Sequence, residues 1–201
     1  MIVTRISQAV KTVGRYNVFV DGEYSFSLDE LQLVELGLKQ GQEIDDNTLE
    51  NFKDESNFGK NYIRALDLIS RRIRSEKEIR DYAWRKKWTP DNTDRVIKRL
   101  YKNNYLDDEK FAQAFISSRS SKPMSLKKLK IELAKKGIKQ DIIDNVILSN
   151  ESFDESIALK KLIEKKQSRY DDERKLTAYL MGQGFRYDDI VRCLDEAREE
   201  V

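Results

Sequence analysis

The chain contains no histidine, one cysteine and two prolines among 201 residues. Without histidine, the sequence lacks imidazole general bases and the commonest side-chain ligand of transition metals. A single thiol, Cys193, excludes an internal disulfide and a cysteine-rich zinc site. No glycine-rich phosphate loop accompanies the carboxylates and lysines that remain. We therefore expect a protein that is not an enzyme and that has no catalytic residues, no metal and no cofactor.

Long hydrophobic segments are also missing. The sequence has no run of about 18 apolar residues, and its N-terminus lacks the apolar core of a signal peptide. Charged residues make up 37% of the chain, apolar residues 39%, and the mean hydropathy is −0.72. Since the apolar residues are periodic rather than scattered, we expect a folded, helical, soluble and cytoplasmic protein.

Charge is distributed unevenly along the chain. Residues 1–52 carry 4 Lys/Arg against 9 Asp/Glu, residues 53–150 carry 24 against 14, and residues 151–201 carry 10 against 13. The formal net charge of +2 therefore conceals an acidic start, a central segment of net +10 and a weakly acidic end. The central segment is the part that we expect to face a polyanion or an acidic protein surface.

Residues 1–50 read as a small α+β cap with a β-hairpin. Hydrophobic alternation predicts a strand over Val3–Val13 and two further strands around Asp21-Gly22, a dipeptide typical of a type I′ turn. Ser27-x-x-Glu30 is a capping box that predicts a short helix through Leu36, which Gly37 would end. Glu43-Ile44 is expected to add a short strand to the hairpin.

After the cap, the sequence predicts helices throughout. Asp46 or Asn47 is expected to cap one helix, and a separate helix would follow over the apolar positions around Tyr62–Ile69. Ser75-x-x-Glu78 is a second capping box, and Thr89-Pro90 is a helix start with Pro at the first helical position.

Three sets of apolar residues repeat with the same internal offsets of four and five residues. The sets are Ile79, Ala83 and Trp88; Leu129, Leu133 and Ile138; and Leu176, Leu180 and Phe185. Paired apolar residues follow each set at the same distance: Val96-Ile97, Val146-Ile147 and Cys193-Leu194. The pattern predicts a mainly α fold of tandem three-helix repeats over residues 51–106, 107–150 and 151–201, stacked in an elongated array.

The junction at Leu100–Ala112 contains three consecutive acids that resemble a metal-binding cluster. Asn103-Asn104 is expected to end one helix, and Asp107 to cap the next. Asp108 and Glu109 then place negative charge on the first helical turn, where the helix dipole favours it. Because acids on one turn point in different directions, we interpret them as helix-start residues rather than metal ligands.

Three segments resemble the RecX family, the regulators of the RecA recombinase. RIRSEKEI at residues 72–79 is similar to the family's R-x-R-S-x-x-E-hydrophobic segment. YLDD-x-x-FA at residues 105–112 and L-x-x-EL-x-x-KGI at residues 129–138 resemble two further motifs. The chain departs from the family pattern at Lys87-Trp88, where a Lys-Gly helix end is expected, and at Ser125, where the family often has glycine.

The resemblance implies a fold and a function. RecX-like proteins bind the RecA–single-stranded-DNA filament in its helical groove and modulate its ATPase, strand exchange and co-protease activities in recombination, DNA repair and the SOS response. The resemblance thus implies that the partner is the RecA filament and that single-stranded DNA is contacted through it. We expect the protein itself to be a monomer without membrane contact. The alternative is a stand-alone nucleic-acid-binding helical repeat protein, whose affinity would fall steeply with salt.

The candidate partner-binding residues, for the filament or for DNA, are basic residues of the central segment. They are Arg71, Arg72, Arg74, Lys86, Lys87, Arg95, Lys98, Arg99, Lys127, Lys128, Lys135 and Lys136. The structural alternative is that the arginines stabilise a helix end and that the lysine stems cover the core. Among the aromatic residues, Trp88 holds a core position of the repeat, and Trp84 is the one expected to be exposed.

Overall fold

The computed structural model describes residues 1–10, 12–119, 122–150, 153–170 and 172–199. They divide into two compact units. Unit 1 comprises residues 1–72 and 79–105, and unit 2 comprises residues 73–78 and 106–201. None of the described helices combines the length and the apolarity that a membrane span requires.

The N-terminal part of unit 1 is a three-stranded antiparallel sheet of β1 (Val3–Gln8), β2 (Arg15–Val20) and β3 (Glu23–Asp29), in that order. Asp21 and Gly22 both have positive φ, of 50° and 89°, as a type I′ turn requires, so the predicted hairpin is confirmed. β1 ends at Gln8 and is shorter than the predicted strand. Glu43 forms a single bridge to Ile2 rather than a strand.

The predicted capping box at Ser27 is wrong. Helix α1 (Glu30–Glu35) is capped by Asp29, whose side chain accepts the Gln32 amide at 2.8 Å. Ser27 stays in β3 because it is a buried polar junction: its hydroxyl accepts from Arg15, and its carbonyl accepts from Ser56. Tertiary hydrogen bonds thus override a local capping signal.

The remaining regular elements of the described chain are helices. The three-helix repeats are α2 (Asp46–Arg71), α3 (Glu76–Arg85) and α4 (Pro90–Lys102); α5 (Asp108–Ser117), α6 (Leu126–Lys135) and α7 (Gln140–Ser149); and α8 (Glu155–Lys166), α9 (Glu173–Gly182) and α10 (Tyr187–Glu199). A short 3-10 turn, Gln167–Arg169, follows α8. Tandem three-helix repeats and the N-terminal α+β cap are therefore confirmed.

Helix α2 corrects the prediction of two separate helices after the cap. It is one helix of 26 residues, and it continues across residues 50 and 51. Its cap is Asp45, which accepts the Thr48 amide at 2.7 Å, and not Asp46 or Asn47 as predicted. Gly59 lies inside this helix, at the point where the helix packs closely against the Gln32 side chain. A Cβ at Gly59 would lie 2.5 Å from Gln32 Oε1.

The repeated apolar residues form the cores. In each repeat the first helix packs on the third: α2 on α4, α5 on α7 and α8 on α10. Buried repeat positions are Ile79, Ala83, Leu129, Leu133, Ile138, Leu176, Leu180 and Phe185. Trp88 is half-buried and packs edge-on against Tyr82, with ring centroids 5.7 Å apart.

The predicted helix starts at Ser75, Thr89 and Asp107 are confirmed. Each side chain accepts a hydrogen bond from the amide three residues further on, at 3.3, 3.3 and 3.0 Å respectively. These caps satisfy amides that the first helical turn leaves without a partner.

Candidate functional site

The basic face of α4 borders a groove on unit 1. We call it the α4 groove: a concave region of about 430 Å³ lined by Glu35, Glu55, Phe58, Arg95, Lys98, Arg99, Lys102 and Asn103. Lys98 and Lys102 are exposed, while Arg95 and Arg99 are half-buried against α2. The predicted residues of α4 therefore come together on one concave surface.

Aromatic rings from α2 form the floor under the two arginines. Phe58 and Tyr62 are stacked, with centroids 6.1 Å apart. The Arg95 guanidinium lies 4.6 Å from the Phe58 centroid, and Arg99 lies 5.5 Å from that of Tyr62. Such cation–π contacts hold a guanidinium in place and leave its edge N–H groups able to bind an anion.

The acids of the groove offset part of its charge. Arg95 forms an ion pair with Glu55, whereas Lys98 and Lys102 make no ion pair in the part of the chain that the structure describes. The groove therefore retains an excess of positive charge, with the Phe58 ring buried beneath its arginines. Phe58 and Tyr62 were not among the predicted site residues, because only the packing of α2 on α4 connects them to the site.

The predicted arginines at the end of α2 have different surroundings. Arg71 is exposed and pairs with Asp67 one turn earlier at 2.8 Å, and Arg72 is exposed in an extended conformation. Arg74 is less exposed and lies 3.8 Å from Glu78. Arg71 is thus exposed in the last turn of α2, as the structural alternative of a solvated helix end expects, and it also pairs with Asp67.

The lysines of α6 also separate into two classes. Lys127 and Lys135 are exposed. Lys136 pairs with Glu78 at 2.8 Å, and Lys128 Nζ donates to Gln183 Oε1 at 3.0 Å. The interpretation of this helix as a mainly solvated face with structural contacts therefore fits Lys128 and Lys136.

The contact of Lys136 with Glu78 belongs to a joint at the first turn of α3. The Ser75 hydroxyl donates to the Lys136 carbonyl at 2.8 Å, at the end of α6. The Glu76 amide, in turn, donates to Asp108 at 2.9 Å. Asp108 therefore caps a helix other than its own, and burial raises the pKa of its carboxyl.

The same joint recurs at the first turn of α6. The Ser125 hydroxyl donates to the Gln183 carbonyl at 2.7 Å, and the Leu126 amide donates to Glu155 at 2.8 Å. Burial raises the pKa of Glu155 as well. Sequence reasoning did not find this pairing, although Ser75 and Ser125 are one repeat period of 50 residues apart.

Two of the three consecutive acids at the junction, Asp107 and Asp108, accept hydrogen bonds from amides at helix starts. Asp107 caps α5 and Asp108 caps α3, so the two carboxylates serve different helices. Among the described residues, no group of three His, Cys, Asp or Glu side chains is arranged to hold a metal ion. Cys193 is buried at 2% exposure, and burial raises the pKa of its thiol.

Comparison with known proteins identifies the fold and its family. Three family models match: the regulatory protein RecX N-terminal domain over residues 1–45, the first RecX three-helix domain over 62–100, and the second over 107–147. Two curated proteins named regulatory protein RecX align with 98% of the chain. The Clostridium acetobutylicum protein is 33% identical over 97% of its own length, and the Bacillus velezensis protein is 36% identical over 78%. The chain belongs to the RecX family.

Solved structures agree with this assignment. A crystal structure of regulatory protein RecX matches with a TM-score of 0.81 at 24% identity, covering 96% of this chain and 98% of the other, which shows the shared fold. RecX from Lactobacillus salivarius matches with a TM-score of 0.61 at 26% identity, over 70% and 96% respectively. The curated relatives are named regulatory proteins, and regulation is the function class that the family name gives.

The departure of this RecX chain at Lys87 has a structural reason. Lys87, Gly137 and Gly184 occupy the same repeat position, and all three have positive φ, of 57°, 82° and 96°. A Cβ would lie 2.5 Å from Lys77 Cβ at Gly137 and 2.7 Å from Ser125 Oγ at Gly184. Lys87 is exposed, so its side chain has room. Glycine is required at Gly137 and Gly184, where the joints leave no space for a Cβ.

Proposed function

We propose that this protein is a non-enzymatic regulator that binds the RecA–single-stranded-DNA filament in its groove and modulates its ATPase, strand exchange and co-protease activities. Membership of the RecX family supports the regulatory class. The RecA partner comes from the resemblance to the family's motifs at residues 72–79, 105–112 and 129–138.

The observation that carries the proposal is the α4 groove. Its four cations, Arg95, Lys98, Arg99 and Lys102, share one concave surface, and its two arginines lie over the stacked rings of α2. Phosphates and carboxylates are the groups that such a surface binds, and a nucleoprotein filament presents both. Unlike a catalytic pocket, the groove contains no nucleophile paired with a general base.

The other predicted basic residues remain part of the proposal as secondary contacts. Arg71, Arg72, Lys86, Lys87, Lys127 and Lys135 are exposed and available to a large surface. Arg74, Lys128 and Lys136 contribute charge near the joints. We expect them to affect binding less than the α4 groove does.

The central test removes two exposed lysines of the groove. The double variant Lys98→Ala/Lys102→Ala should weaken sedimentation with RecA–DNA filaments about ten-fold, since two exposed charged contacts together contribute about 1.4 kcal/mol. The matched control is Lys161→Ala/Lys165→Ala, which removes two exposed lysines with the same spacing from α8. If both double variants weakened binding equally, the groove would contribute only general positive charge, and its assignment as the filament-binding site would be wrong.

A second variant tests the arginines. Replacing Arg71, Arg72 and Arg74 by Ala should weaken filament binding and leave helicity and the melting temperature nearly unchanged, because Arg71 and Arg72 are exposed at the end of α2. A loss of folding that parallels the loss of binding would assign these residues a structural role instead.

A further inference from the structure

Trp84 is the most exposed tryptophan or tyrosine in the described chain. Its side chain is 80% exposed on the last turn of α3. Burying an indole removes a large apolar area from water, so a tryptophan left in solvent forgoes that stabilisation. The fold therefore does not explain this residue.

The repeats show that the position does not need a large side chain. The equivalent residues are Ala134 in the second repeat and Met181 in the third, and both are exposed. The position faces solvent in all three repeats, and alanine is sufficient at one of them. A tryptophan at this position in the first repeat calls for a partner outside the chain.

The backbone holds Trp84 in a fixed place. The Trp84 carbonyl accepts from the Lys87 amide at 3.0 Å, and the Ala83 carbonyl accepts from the Trp88 amide at 3.0 Å. These hydrogen bonds close the helix end and define the backbone position from which the indole extends into solvent.

The surroundings of Trp84 are basic. Arg85, Lys86 and Lys87 follow it directly, and all three are exposed. Lys86 Nζ lies 5.8 Å from the Tyr82 ring centroid, beside the same turn. Exposed cations that flank an aromatic face are the combination with which proteins bind single-stranded nucleic acid, the cations contacting phosphates and the ring stacking on a base.

We propose that the C-terminal turn of α3 binds single-stranded nucleic acid directly, with Trp84 stacked on a base and Lys86 and Lys87 on the backbone. Because the turn is positively charged, it fits a polyanion better than an apolar groove of a partner protein. This site deepens the proposed function, since the filament contains a single strand. It is nevertheless tested on naked DNA, so its failure is distinguishable from failure of filament binding.

Fluorescence makes the contact directly measurable. The full chain contains two tryptophans, and Trp88→Phe leaves Trp84 as the only indole while keeping a ring against Tyr82. Titration with a thymidine oligonucleotide at low salt should quench the Trp84 emission. An unchanged emission while the oligonucleotide is bound would overturn the proposal, and so would quenching that appears only with RecA filaments.

Substitutions separate stacking from hydrophobic contact. Trp84→Ala should weaken oligonucleotide binding about ten-fold, Trp84→Phe should restore most of it, and Trp84→Leu should not, because only the aromatic side chain stacks. Met181→Ala is the matched control at the equivalent exposed position, and it should leave binding unchanged. Wild-type affinity in Trp84→Leu, or an equal loss in Met181→Ala, would overturn the assignment.

The lysines add a readout that a structural role would not change. Lys86→Ala and Lys87→Ala should each reduce the slope of log affinity against log salt by about 0.7, the value for one phosphate contact on a single strand. An unchanged slope in both variants would contradict the backbone contacts.

Discussion

Replacing Gly137 by Ala tests whether the joint between the start of α3 and the end of α6 fixes the sequence there. Gly137 has φ of 82°, a conformation that side chains rarely adopt. An added Cβ would lie 2.5 Å from Lys77 Cβ and 2.9 Å from Lys77 Cδ. The Lys77 Cβ is fixed to its backbone and cannot rotate away, so the helices themselves must move.

The expected cost has three parts. The left-handed conformation costs an alanine about 1–2 kcal/mol. Overpacking of a close contact adds about 1–3 kcal/mol. The reduced freedom of the unfolded chain returns about 0.4–1 kcal/mol. We expect Gly137→Ala to destabilise the protein by about 2–4 kcal/mol.

Urea unfolding followed by circular dichroism measures this difference. The control is Gly182→Ala in the last turn of α9, where no heavy atom lies within 4 Å of the added Cβ; helix propensity predicts a gain of up to about 1 kcal/mol. If Gly137→Ala stays within about 0.5 kcal/mol of the wild type, the joint is not as tight as the structure indicates, and the explanation of the glycine is wrong.

Four further predictions follow from the structure. Lys87→Gly should stabilise the protein by about 0.5 kcal/mol in the same unfolding assay, because relief of the left-handed lysine exceeds the added freedom of the unfolded chain; a loss of stability would contradict this. Asp108→Ala should cost about 1 kcal/mol through the lost cap on α3, whereas Asp108→Asn keeps an acceptor and should not. Burial raises the pKa of Asp108, so the stability that its protonated form contributes is fully present below the unfolded pKa and is lost as pH rises through the folded pKa. The urea midpoint of Asp108→Asn should therefore rise relative to that of the wild type between pH 4 and 7. A constant difference between the two midpoints would argue against burial as the cause. Leu133→Asp should unfold the second repeat, because it buries an unpaired charge, and a native circular dichroism spectrum would contradict the core assignment. Cys193 should resist thiol reagents in the native protein and react on unfolding, since its thiol is buried with a raised pKa, and rapid native labelling would refute that.

Local signals predicted three helix starts correctly. Ser75, Thr89 and Asp107 act within one helical turn, so their side chains and the next amides are enough to place a helix start. The apolar offsets of the repeats likewise reflect the period of a single helix. Confirmation was therefore greatest where structure depends on neighbours in sequence.

The wrong predictions concern tertiary contacts. Ser27 has a capping-box spacing, but its hydroxyl and carbonyl are used by Arg15 and Ser56 from other elements. The two helices predicted after the cap are one helix, α2, which packs closely on Gln32 at Gly59. A short segment of sequence carries no signal for contacts with residues that are distant in the chain.

The candidate site was predictable only in part. The period of α4 places Arg95, Lys98 and Arg99 on one face, which the structure confirms. The stacked Phe58 and Tyr62 lie on α2, more than 30 residues away, and became part of the site only through packing. The assignment of all these residues to partner binding stays a prediction until it is measured.

The most direct test of the proposed function compares binding to RecA–single-stranded-DNA filaments with binding to naked single-stranded DNA, at two salt concentrations, while RecA ATPase is followed. We predict preferential binding to the filament and a changed ATPase at saturating protein. Equal or tighter binding to naked DNA, with ATPase lowered only by competition for DNA, would contradict the regulatory account and favour a stand-alone nucleic-acid-binding protein.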